Sequence, residues 1–110
     1  MSDLARLQQR RGQRSFSRWD DFLPTELINK SDETVRGLID RLIALGPNPA
    51  RQEVQTEIDE CVRQFNELNR TRQNPWICTI EREDIGEVLW ELIDLCGFEG
   101  SEAWLDERDW

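Results

Sequence analysis

Residues 31–47 read SDETVRGLIDRLIALGP, and this stretch decides the fold class. Val35, Leu38, Ile39, Leu42 and Ile43 recur at i, i+3, i+4, i+7 and i+8, which places five branched apolar side chains on one face of a helix. Ser31 stands where a helix N-cap is expected, with Asp32 and Glu33 in the first turn, and Gly46-Pro47 supplies a stop. The pattern predicts a helix over about 32–45, preceded by a separate helical turn opening at Pro24.

Working outward, Asn48 and Pro49 read as cap and first position of a second helix running to about residue 68. Val54, Ile58, Cys61, Val62, Phe65 and Leu68 form its inward stripe. The short connection makes the two helices an antiparallel hairpin. A polar loop over 69–74 leads to Pro-Trp-Ile-Cys-Thr-Ile, residues 75–80, which reads as an extended segment crossing the bundle. A third helix follows over about 81–96, with Thr79 as cap, Gly97 as stop, and Ile85, Val88, Leu89, Leu92, Ile93 and Cys96 inward. A last short helix opens at Ser101 with Trp104 and Leu105 as its apolar pair. The fold class is therefore all-α, a small bundle of three main helices with short accessory helices at the N- and C-terminal ends.

The chain has 110 residues and a formal net charge of −9, and that charge is uneven. Arg6, Arg10, Arg11, Arg14 and Arg18 against Asp3 leave residues 1–18 strongly basic and the remainder strongly acidic. The organisation read from this is a basic, mobile arm over 1–18 on a single acidic helical domain over 19–110. The arm carries at most a short frayed helix, and Phe16, Trp19 and Phe22 dock the segment that follows it. A charge-balancing arm is preferred to a nucleic-acid contact, because the body would repel a polyanion.

Histidine is absent, which removes the usual general base, triad member and metal ligand. Carboxylate pairs such as Glu53 with Glu57 read as solvated faces. Cys61, Cys78 and Cys96 lack the spacing of a disulfide framework or zinc knuckle, and Cys78 reads as a small core residue. No catalytic residue, metal or cofactor is expected. The cysteines, and the lack of a secretory or membrane-spanning apolar run, point to the cytoplasm.

Five tryptophans on an acidic chain point to binding. Trp90 lies off the inward stripe of the third helix, on the side of Glu83, Glu87 and Asp94. The expected partner-binding set is Asp84, Glu87, Trp90, Glu91 and Asp94 on that helix, with Trp104, Asp106, Glu107 and Trp110 in the tail. The acid-rich helix over 81–94, its tryptophan, and the C-terminal Trp-Leu-Asp-Glu-Arg-Asp-Trp give the chain a character that resembles the bacterial toxin-immunity proteins. The resemblance implies a non-catalytic inhibitor that neutralises a basic, nuclease-like toxin through the acidic surface. A regulatory or adaptor subunit of a larger complex is the alternative, and an enzyme using Cys78 or a carboxylate pair ranks below both.

Overall fold

The computed structural model describes residues 1–71 and 75–110. Its elements are α1 (Leu4–Arg11), a first 3-10 turn (Ser17–Asp21), α2 (Thr25–Ala44), α3 (Arg51–Arg70), α4 (Thr79–Leu95) and a second 3-10 turn (Glu102–Leu105). Among the described residues there is no strand, and no helix is long and apolar enough to cross a membrane.

The expected stripes form the core. Leu38, Ile39 and Leu42 of α2 meet Val54, Ile58 and Phe65 of α3 in the hairpin, and Ile85, Leu89 and Leu92 of α4 close it, all fully buried. Each such side chain contributes about 1.5–3 kcal/mol by leaving water. Gly46 and Gly97 have φ of +84° and +89°, the left-handed conformation that ends α2 and α4 without a Cβ clash.

The starts of the helices differ from expectation. α2 opens at Thr25 behind an extended Pro24, so the turn at Pro24 and the helix over 32–45 are one element. Ser31 is not its cap: its hydroxyl donates to the Leu27 carbonyl one turn back at 2.9 Å. Asp32 is 3% exposed, and its Oδ1 accepts the backbone N–H groups of Ser15 and Phe16 at 2.9 and 3.1 Å. α3 begins at Arg51, beyond the Asn-Pro pair, where Glu53 accepts the Ala50 N–H at 2.8 Å. α4 begins at Thr79 behind Cys78, whose N–H goes to Glu81 at 2.9 Å.

Where a mobile arm was expected, the basic segment is folded onto the body. Asp3 caps α1 through the Arg6 N–H, and Leu7 is fully buried. Phe16 stacks on Trp19 with ring centroids 4.2 Å apart, and Trp19 meets Trp76 edge-on at 5.7 Å. Phe22, expected to dock with them, is exposed. The crossing segment hangs from the end of α3: Asn69 Oδ1 accepts both the Trp76 and Ile77 N–H groups at 2.9 Å. Of the loop expected over 69–74, residues 69–70 belong to α3 and 72–74 lie outside the described residues. At the other end of the chain, Gln55 and Asn66 of α3 hold the carbonyls of Trp104 and Glu107 at 2.9 and 3.0 Å.

Candidate functional site

At 100° per residue, α4 presents three surfaces. Its inward face enters the core. A second flank carries Asp84 and Glu91 toward the basic segment, and the outward face carries Ile80, Glu83, Glu87 and Asp94, all exposed.

The flank is neutralised from within the chain. Asp84 Oδ2 accepts the Trp19 indole N–H at 2.9 Å, and its Oδ1 accepts from Arg18 at 3.3 Å. Glu91 accepts Arg10 Nε at 3.1 Å, while Arg10 Nη2 donates to Ser15 Oγ at 3.0 Å. The Arg10 side chain is only 9% exposed against 50% for Glu91, so the pair is half-dry and worth more than an ordinary surface contact. Asp84 and Glu91 were expected to face a partner; both instead fix the N-terminal segment. Arg11 and Arg14 likewise pair with Asp40 and with Asp20 and Asp32, so most of the arm's arginines are engaged by the body. The paired Arg14 holds the Asp20 carboxyl below its usual range.

The outward face is different. Glu83, Glu87 and Asp94 make no ion pair among the described residues and stand in water, on the side of α4 where sequence periodicity puts them. Between the flank of α4, with Glu87 at its edge, and the first 3-10 turn lies a cleft of about 490 Å³. Ser15, Ser17 and Arg18 line one wall; Asp84, Glu87 and Glu91 line the other, with Arg10 also contributing.

The tryptophans are not free anchors. Trp90 is half-buried, lying flat over Gly86 and under Gly100, with its indole N–H donated to the Ser101 carbonyl at 3.0 Å. Trp104 is 2% exposed, donates to the Glu99 carbonyl at 2.9 Å and carries the Arg51 guanidinium 4.2 Å above its ring. Trp110 is 9% exposed and packs edge-on against Phe65. Both tail tryptophans, expected as partner contacts, are thus buried against α3. Asp106 and Glu107 remain exposed beside them.

The large apolar side chains that do face water are Met1, Phe22 at 49% and Ile80 at 45%. Sequence reasoning did not single out Ile80 as exposed, although it lies within about 20° of Glu87 on the helical wheel and that register was the available signal. Cys78, expected in the core, is exposed at the start of α4. Cys61 and Cys96 are buried, and burial pushes the Cys61 thiol up to about 12 and raises that of Cys96. Among the described residues, no group of three or more cysteine, aspartate or glutamate side chains is placed to hold a metal ion.

The model of a family of unknown function (DUF5713) matches residues 15–110. No curated protein and no solved structure matches the chain.

Proposed function

We propose that this chain, which belongs to the family of unknown function (DUF5713), is a non-catalytic module that binds a basic protein through the outward face of α4. One observation carries the reading: the carboxylates of Asp84 and Glu91 are paired with arginines of the same chain, whereas Glu83, Glu87 and Asp94, on the adjacent face, make no ion pair among the described residues. Such a surface attracts cations and repels polyanions, and a net charge of −9 extends that field beyond the contact. The narrower form of the proposal is an immunity-type inhibitor whose partner is a nuclease-like toxin domain. Its support is the same acidity.

Affinity capture from the native host with the wild-type protein and with the triple variant Glu83→Lys, Glu87→Lys, Asp94→Lys tests this. A basic protein retained by the wild type, released as salt rises and lost by the variant is the expected result. A partner retained equally by both would overturn the assignment of the face. Expression of the captured partner alone should arrest growth, and co-expression should relieve it; a harmless partner would remove the immunity form while leaving the binding module.

A further inference from the structure

The basic segment is fixed at two places, with a short linker between them. Its first part, α1, lies across α2 and α4. Leu7 is fully buried, Arg10 pairs with Glu91 of α4 and Arg11 with Asp40 of α2, and the Ser2 and Asp3 N–H groups donate to the Pro47 and Leu95 carbonyls at 2.8 and 2.7 Å. Its second part is held separately: Asp32 accepts the Ser15 and Phe16 N–H groups, Phe16 stacks on Trp19, and Arg14 pairs with Asp20 and Asp32. Gly12 and Gln13 join the two parts, so α1 can lift away while the chain stays anchored from Arg14 onward.

The hold on α1 is weak. A helix of eight residues has little stability of its own, and the Arg11–Asp40 pair is half-exposed on both sides and so screened by salt. Arg10 is nine-tenths buried with Nη1 left without an acceptor among the described residues, a cost that ends once α1 enters water. One fully buried leucine and two backbone hydrogen bonds stand against these. Beneath α1 lies a patch of the apolar core with a carboxylate on each side, Asp40 and Glu91, and α1 meets it with Leu4, Leu7, Arg10 and Arg11 at the i, i+3, i+4 spacing of a basic amphipathic helix. We propose that α1 is an autoinhibitory strap, released so that an arginine-rich amphipathic helix of the partner takes its place between α2 and α4. The inference rests on the reading of the chain as a binder of a basic protein and adds a groove distinct from the outward face.

The test is a ¹⁵N-resolved titration of the full chain with a capped peptide of residues 2–14 as the probe. The full chain carrying Arg10→Ala and Arg11→Ala, which loosen α1, should bind the peptide about tenfold more tightly than the wild type, because the fraction of chains with the groove open sets the apparent affinity. Shifts should fall on the amides of Asp40, Glu91 and Leu95, and adding Asp40→Asn and Glu91→Gln should abolish the gain. In the wild type, hydrogen exchange should open residues 7–11 more readily than the buried turns of α2 and α4, and more so in salt, while Phe16 stays protected. Exchange of residues 7–11 only through global unfolding, or equal peptide binding by the two chains, would overturn the strap. Equal binding that maps to Glu83 and Glu87 would do so while leaving the outward face standing. Preference of the loosened chain for a peptide with Glu in place of each Arg would overturn both.

Discussion

The indole N–H of Trp19 and the carboxylate of Asp84, 65 positions apart, meet at 2.9 Å and bolt the first 3-10 turn to the side of α4. Trp19 is fully buried and the Asp84 side chain 14% exposed, so the donor has no water to fall back on. Asp84→Ala should therefore cost about 2–3 kcal/mol, while Glu87→Ala, one turn along the same helix, should stay within about 0.5 kcal/mol. Denaturant melts of the two variants check this, and equal losses would contradict it.

Asp32 anchors the same segment from α2. Replacing it by alanine leaves the N–H groups of Ser15 and Phe16 without their acceptor and should destabilise by about 2–4 kcal/mol. The loss should be accompanied by faster hydrogen exchange at residues 15 and 16. If Asp32 were instead a helix cap, Asp32→Ser would restore stability; here it should not, because serine is too short to span to the Phe16 N–H.

The seat of Trp90 makes opposite predictions for two glycines. A Cβ on Gly86 would meet the Trp90 ring at 3.4 Å, an ordinary contact, and alanine suits a helix interior better, so Gly86→Ala should stabilise by about 0.5–1 kcal/mol. A Cβ on Gly100 would lie 2.9 Å from Trp90 Cβ and Cδ1. Gly100→Ala should cost about 1–3 kcal/mol and shift Trp90 emission to the red as its cover lifts.

Thiol chemistry separates the three cysteines. Cys78, which is exposed, should react with an aromatic disulfide reagent in the folded protein, and Cys61 and Cys96 only on unfolding. The Cys61 thiol has its value raised by burial from 9.0 to about 12. Between these values the unfolded chain loses the proton and the folded chain keeps it, so stability falls as pH rises through that window and this contribution is intact below it. Cys61→Ala should flatten the alkaline slope; an unchanged slope would show that the thiol does not titrate with unfolding.

The three apolar stripes, both glycine stops and the outward position of Glu83, Glu87 and Asp94 were legible because each depends on residues within a few turns of one another. Ser31 misled because a hydroxyl suited to cap a helix start looks the same when it donates to a carbonyl one turn back inside the helix, and Asp32 because a first-turn carboxylate looks the same when it serves a backbone 16 residues away. The pairing of Asp84 and Glu91 within the chain was illegible for the same reason: periodicity gives the direction of a side chain but not which arginine from another segment meets it. The docking of α1 had a local sign in Leu4 and Leu7, yet at eight residues such a helix is stable only against a surface, which a one-dimensional pattern does not contain. The cover over Trp104 comes from Arg51 and Gln55, about fifty positions away.

The single amide oxygen of Asn69 also ties two opening events into one. It sits on the last turn of α3 and takes the N–H groups of both Trp76 and Ile77, so fraying of that turn releases the strand-like crossing at the same moment. With Trp76 go its edge-on contact with Trp19 and one wall of the joint that holds the N-terminal segment. The end of α3, the crossing and the N-terminal joint then form one cooperative unit that unlatches as a whole, and amide exchange at residues 69, 76 and 77 should share a single opening free energy.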